Sequence, residues 1–168
     1  MKIFLLGYMG TGKTYWGKLW ANQHGLEFYD LDHEIERNEG MTIREIFEKS
    51  GENFFREKER EALLQFADKD DFILSTGGGT PCFFDNMQWM NEKGITIYLN
   101  TSVAQLAERL SKEKAHRPLI QNLSDKELIS FIENNINKRN MFYTQSNVIL
   151  DTEKITGNTF EEITRIYV

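Results

Sequence analysis

A mostly parallel β-sheet covered by helices on both faces is encoded in the pattern of this 168-residue chain. Three observations lead to that α/β reading. Short apolar runs bounded by turn residues recur along the sequence, helical spacing fills the intervals between them, and the first run opens directly onto a glycine-rich loop. Apolar runs with little polar alternation suit strands buried on both faces. Strands that alternate with helices imply right-handed crossovers, and in such sheets ligands gather beyond the carboxyl ends of the strands.

The runs are Lys2–Leu6, Glu27–Tyr29, Phe72–Leu74, Thr96–Leu99 and Val148–Leu150. Between the first two, Thr14–His24 carries Trp16, Leu19 and Trp20 at helical spacing. Thr42–Phe66 carries Ile43, Ile46 and Phe47, then Leu63, Leu64 and Phe66, with a break predicted near Gly51. Further helices are predicted over Asp85–Lys93, Val103–Leu110, Asp125–Tyr143 and Thr159–Tyr167. Two segments leave this scheme. Residues 31–66 form a charged helical insert, in which Phe47, Phe54 and Phe55 are expected to pack onto the core. Residues 111–123 are polar, hold one of the chain's two prolines and interrupt the helical pattern, as a passive loop or a mobile lid would.

The length suits one domain spanning 1–168. A net charge of −6 leaves no broad basic face, which argues against nucleic acid as a partner and makes individual arginines worth weighing. The single Cys82 has no internal disulfide partner, and no apolar stretch is long enough to span a bilayer. The chain enters a strand at once, without the basic and apolar regions of a signal peptide. A soluble, cytoplasmic protein is expected.

The loop Gly7-Tyr8-Met9-Gly10-Thr11-Gly12-Lys13-Thr14 fits the pattern G-x-x-x-x-G-K-[ST] in its required place, between a buried strand and a helix. Its glycines let several backbone N–H groups converge on one anion, and the helix that follows adds its positive dipole end. Lys13 is placed to reach the β- and γ-phosphates of a nucleoside triphosphate and the Thr14 hydroxyl to coordinate Mg²⁺. Gly10, Thr11, Gly12, Lys13, Thr14 and Tyr15 are therefore the candidate triphosphate-binding residues.

The second strand ends in Asp30-Leu31-Asp32. If that stretch is extended, both carboxylates point the same way, Asp30 toward a Mg²⁺ shell and Asp32 toward a substrate hydroxyl. Asp32 could equally start the next helix as its N-cap. The third strand ends in Ser75-Thr76-Gly77-Gly78-Gly79-Thr80-Pro81. Three consecutive glycines are costly in backbone entropy and suit either a tight turn or close approach of backbone to a ligand. Arg56 sits among acids, where a surface ion pair is the ordinary explanation, and Arg117 and Arg139 are unremarkable singly. His24, His33 and His116 share no metal-ligand spacing.

In combination these motifs resemble the shikimate kinase family. GYMGTGKT, DLD, the FFRE stretch around Arg56, STGGGTP, HRPLI and KRNMFY occur in that order between residue 1 and about residue 151. The resemblance implies a three-layer α/β/α fold with a five-stranded parallel sheet, like that of the nucleoside monophosphate kinases, with a lid at 111–123 and a substrate-binding insert at 31–66. It implies transfer of the ATP γ-phosphoryl group to the 3-hydroxyl of shikimate, with Mg²⁺, on the route to aromatic amino acids, by a monomer.

By position in the motifs, the resemblance makes Lys13, Asp32 and Arg117 catalytic. It gives shikimate to Asp32, Arg56, Gly77, Gly78, Gly79 and Arg139, with the two arginines on its carboxylate. Arg109 would stack on adenine, and Thr14 with Asp30 would hold the metal. One departure stands out: Asp151-Thr152-Glu153-Lys154 lacks an arginine that some relatives carry there, and Lys154 is the substitute the sequence offers. The loop and lid alone would serve a gluconate or nucleoside monophosphate kinase, or a nucleotide-binding regulator without turnover.

Overall fold

The structure, a computed structural model, describes residues 1–167. Strands β1 (Lys2–Leu6), β2 (Glu27–Asp30), β3 (Phe72–Ser75), β4 (Ile95–Asn100) and β5 (Val148–Asp151) form one parallel sheet in the order β2-β3-β1-β4-β5. The expected apolar runs are all strands, several of them a residue longer than expected. Because β1 sits between β3 and β4, the chain departs from it in both directions along the sheet, which opens a crevice at its carboxyl end.

Helices α1 (Lys13–His24), α2 (Leu31–Glu39), α3 (Ile43–Leu64), α4 (Asn86–Lys93), α5 (Val103–Ser111), α6 (Asp125–Tyr143) and α7 (Thr159–Tyr167) complete the three layers. Alternation along β1 divides the core. Ile3 and Leu5 pack with Ile97, Leu99, Trp20 of α1 and Phe160 of α7. Phe4 and Leu6 point the other way, onto Leu31 and Ile35 of α2, Phe55 and Leu63 of α3, Trp89 and Met90 of α4 and Tyr143 of α6. A third cluster joins Tyr8 to Leu106 and Leu110 of α5, Leu128 and Ile132 of α6, and Ile120 between them.

Two of the three aromatics expected to anchor the insert do so, and Phe47 does not. Phe55 is buried and Phe54 partly so, while Phe47 lies on the rim with its ring 4.6 Å from that of Phe55. The expected break at Gly51 is present: φ is 80° and ψ 178° there, a left-handed conformation that glycine adopts without a Cβ penalty. Capping boxes at Thr42 and Ser124 begin α3 and α6, each satisfying two backbone donors. The segment 111–123 is mostly exposed and contains one short 3₁₀ turn, but Ile120 is buried against the third cluster.

Candidate active site

The loop after β1 curls back on itself before α1 begins. Gly10 and Gly12 both have left-handed φ, and the buried Thr11 hydroxyl donates to the Tyr8 carbonyl at 2.9 Å. Lys13 folds over the loop, its Nζ donating to the carbonyls of Gly7 (2.7 Å) and Tyr8 (3.0 Å). Burial pushes the Lys13 ammonium down to about 8, assisted by the charges of Arg139 and Arg117, although Asp32 and Asp30 pull the other way. The amino end of α1 lies beneath a cavity of about 650 Å³, whose wall includes Gly10, Thr11, Gly12, Lys13, Thr14 and Tyr15.

The aspartates are arranged differently from the extended stretch that the sequence suggested. Extended backbone stops at Asp30, and α2 starts at Leu31. Asp30, not Asp32, is the N-cap, with a carboxylate that accepts from the backbone N–H groups of Asp32 (3.1 Å) and His33 (3.5 Å). Both carboxylates still line the cavity, because the first turn of the helix swings Asp32 back over the strand ends. The Thr14 hydroxyl lies 3.5 Å from Asp30 Oδ2. Burial raises the Asp32 carboxyl to about 6, with Asp30, Glu59 and Glu36 adding to the rise and Lys13 opposing it.

The three glycines after β3 are a strap against which side chains close. A Cβ at Gly77 would lie 3.0 Å from Glu59 Oε2 and 3.4 Å from Asp32 Oδ1. At Gly78 it would meet Arg139 Nη1 at 2.8 Å, and at Gly79 Arg56 Nη2 at 2.6 Å. Each distance is too short for a Cβ or at the limit of contact, so the glycines are what admits these side chains. Gly77 and Gly78 line the cavity beside Asp32; Gly79, Arg56 and Arg139 are not on its wall and adjoin it through the strap.

Arg56 is no free surface arginine. Its side chain is 12% exposed, its Nη1 donates to Glu59 Oε1 at 2.7 Å, and its guanidinium covers the Phe83 ring at 4.0 Å. Glu59, fully buried, also accepts from the Thr80 hydroxyl at 2.7 Å. Arg60 and Asn86 continue the network: Arg60 donates to Asn86 Oδ1 (2.8 Å), and Asn86 Nδ2 to the Thr80 carbonyl (2.9 Å). Arg139 lies against the Tyr8 ring, 5.4 Å from its centroid, while the Tyr143 hydroxyl donates to the Gly78 carbonyl at 2.5 Å.

The far rim is built from α5 and the segment after it. Arg109 donates to the Gly10 carbonyl at 2.9 Å. Arg117 pairs with Glu113 at 2.7 Å, and all three side chains line the cavity. Of the segment 151–154 it is Thr152 that reaches the cavity wall, while the exposed Lys154 pairs with Asp151 at 3.4 Å. Among the described residues no three His, Cys, Asp or Glu side chains cluster as a metal site.

A site of this form has an anion cradle at one end, two carboxylates at its centre and paired arginines behind a glycine strap. A family model for shikimate kinase matches residues 9–167. The chain belongs to the shikimate kinase family. A curated shikimate kinase from Parabacteroides distasonis is 47% identical over 154 residues, which is 92% of this chain and 89% of that protein. The crystal structure of shikimate kinase from Bacteroides thetaiotaomicron superposes with a TM-score of 0.89 at 40% identity, covering 99% of this chain and 96% of that one. Shikimate kinase from Acinetobacter baumannii, solved in complex with shikimate, gives a TM-score of 0.80 at 33% identity over 98% of this chain and 89% of that one.

Membership of the shikimate kinase family makes this chain a phosphotransferase, with ATP-dependent phosphorylation of shikimate as its activity. Several site contacts had no motif to reveal them. Glu59 was hidden in an acidic stretch, where only its offset of three from Arg56 on one helix would have shown it. Thr80 and Tyr143 lie inside the quoted motifs STGGGTP and KRNMFY and Trp16 follows the loop directly, but their contacts, like the place of Thr152 on the wall, come from packing that no local pattern shows.

Proposed function

We propose that ATP lies along the loop 7–15 and shikimate against the strap, with transfer between them in the cavity above α1. The observation that carries this assignment is the placement of Arg56 and Arg139 on adjacent glycines, with Asp32 touching the same strap. Two guanidinium groups suit one carboxylate through charge-assisted hydrogen bonds, and a rigid backbone strap holds both at fixed separation. Residues 31–66 are then the acceptor-binding insert of a single domain, 1–168, and residues 111–123 the lid.

In this reading Lys13 leaves the loop carbonyls for the β- and γ-phosphates and regains its full charge there. Arg56 and Arg139 turn the 3-hydroxyl toward Asp32. Asp32, already basic for a carboxylate, orients that hydroxyl and takes its proton as the oxygen attacks the γ-phosphorus. The bond from that phosphorus to the bridging oxygen of ADP breaks, and Arg117 swings from Glu113 onto the transferring group. Lid closure excludes water, the competing acceptor. Arg109 and Tyr15 border the nucleoside, on the rim that Trp16 and Thr152 share.

The oxygen-only pair of Asp30 and Thr14 fits Mg²⁺, which favours one or two protein oxygens together with phosphate. When bound, the ion supplies charge neutralisation at the transferring phosphates. A monomer acting in the cytoplasm belongs to the same proposal. Among the described residues no helix is long and apolar enough to cross a membrane. The test is ADP release with shikimate, gluconate and nucleoside monophosphates as acceptors. Turnover with shikimate alone is expected, and equal or greater turnover with either of the others would displace the reading.

A further inference from the structure

From the nucleotide loop, the Tyr8 side chain reaches Arg139, one of the two arginines behind the strap. It is 1% exposed, and its ring faces the Arg139 guanidinium at 5.4 Å. On the opposite side, Arg139 Nη1 approaches Gly78 so closely that a Cβ there would lie 2.8 Å away. Arg139 is thus held between the loop and the strap. The Tyr8 backbone carbonyl meanwhile accepts from Lys13 Nζ at 3.0 Å and from the Thr11 hydroxyl at 2.9 Å. Tyr8 also belongs to the hydrophobic cluster that holds Ile120 of segment 111–123.

The hydroxyl of Tyr8 is buried without a hydrogen-bond partner among the described residues. A buried, unpaired hydroxyl is an uncommon deficit in a folded protein. Both Arg139 and Arg117 lie near enough to act electrostatically on it, and guanidinium N–H groups are donors it can accept from.

We propose that Tyr8 is a positioning residue that couples the two substrate sites: nucleotide binding draws Lys13 off the Tyr8 carbonyl, the loop resettles, and the Tyr8 ring sets Arg139 for the acceptor carboxylate. The hydroxyl gains a guanidinium donor in the doubly occupied state, which favours that state over the empty one. Coupling of this kind is reciprocal, so shikimate tightens nucleotide binding by the same factor. The inference rests on the assignment of Arg139 to the shikimate carboxylate.

The test is calorimetric titration of shikimate into the protein, with and without saturating Mg·ADP, for the wild type and for Tyr8→Phe, Tyr8→Leu and Arg139→Ala. The wild type should bind shikimate more tightly by about fivefold or more when Mg·ADP is present. Tyr8→Leu should lose most of that factor in both directions, so that shikimate affinity of the Mg·ADP-loaded protein and ADP affinity of the shikimate-loaded protein fall together, while ADP affinity of the otherwise empty protein changes by less than about twofold, a split that a merely loosened loop would not produce. Tyr8→Phe keeps the ring and loses the unpaired hydroxyl. It should melt higher than the wild type when ligand-free and show an intermediate coupling factor. Should Tyr8→Leu not fold, the Tyr8→Phe pair of readouts decides alone. Wild-type coupling retained in a folded Tyr8→Leu, in Tyr8→Phe if that variant decides alone, or absent from the wild type, overturns the proposal. Unchanged shikimate affinity in Arg139→Ala would instead overturn the assignment beneath it.

Discussion

The guanidinium of Arg56 occupies the space that a side chain at residue 79 would need: a Cβ on Gly79 would lie 2.6 Å from Nη2 and 2.9 Å from Nη1. The atoms in the way belong to the tip of a flexible side chain, not to backbone. Gly79→Ala should therefore fold, with Arg56 pushed off its position. We expect the shikimate KM to rise by about tenfold, the equivalent of one weakened charge-assisted hydrogen bond, with the ATP KM near normal. Steady-state kinetics with each substrate varied checks this; parallel rises in both constants would count against it.

Removing Arg56 has two consequences that separate by variant. Arg56→Ala deletes a carboxylate ligand and leaves Glu59 buried with only Thr80 as partner. Loss of one partner of a buried pair costs about 3–5 kcal/mol, so a lower melting temperature should accompany the raised shikimate KM. Arg56→Lys keeps a cation for Glu59 but loses the planar fork. It should recover most of the stability and little of the shikimate affinity. Thermal melts beside kinetics distinguish the two, and recovery of both by lysine would contradict a forked contact.

Asp32→Asn should lower kcat far more than it changes nucleotide affinity, since it removes the proton acceptor and keeps the shape. It should also stabilise the ligand-free protein. A carboxyl raised to about 6 in the fold binds a proton more tightly there than in the unfolded chain, where its value is 3.8. Its contribution to stability is thus greatest below the unfolded value and is lost as pH rises through about 6. At neutral pH the charged Asp32 therefore costs about 3 kcal/mol. The gain in melting temperature from Asn should be present at pH 7.5 and vanish near pH 4; its absence at pH 7.5 would contradict the raised value.

The same two groups shape the pH profile. The kcat/KM for shikimate should fall on the acid side of about 6, as Asp32 takes up its proton. For ATP, kcat/KM should fall above about 8, where the free enzyme's Lys13 loses its charge. A basic limb that persists unshifted in Asp32→Asn would be surprising, because the Asp32 charge helps to hold the Lys13 proton. The limb should move to lower pH in that variant.

Arg117 pairs with Glu113 at 2.7 Å on the rim of the cavity. Arg117→Ala should reduce kcat by roughly 100-fold or more with nucleotide affinity little changed, as expected of an arginine engaged mainly in the transition state. A proportionate loss in Kd for ADP would instead make it a ground-state binding residue.

Much of this architecture could be read from the chain because it is local. Each strand is a short apolar run, the loop motif carries its own spacing, and the kink at Gly51 follows from one residue. The aspartate pair was harder. Periodicity placed both carboxylates on one side of a strand, whereas Asp30 caps the helix that presents Asp32. Both residues nonetheless line the cavity. The roles of Thr80, Tyr143 and Tyr8 were not legible although all three lie in quoted motifs, because each depends on a contact with a residue far away in the chain, Glu59, Gly78 and Arg139 respectively. The glycine triplet hinted at close approach, but which arginine met which glycine is decided by the packing of α3 and α6 on the sheet.

The account turns on a carboxylated acceptor gripped by Arg56 and Arg139 beside a filled nucleotide site. Calorimetric titration of shikimate into Mg·ADP-loaded protein measures that grip directly. We predict saturable binding to a single site that weakens by about tenfold or more when shikimate is replaced by its methyl ester. No heat of binding, or equal affinity for acid and ester, would contradict it.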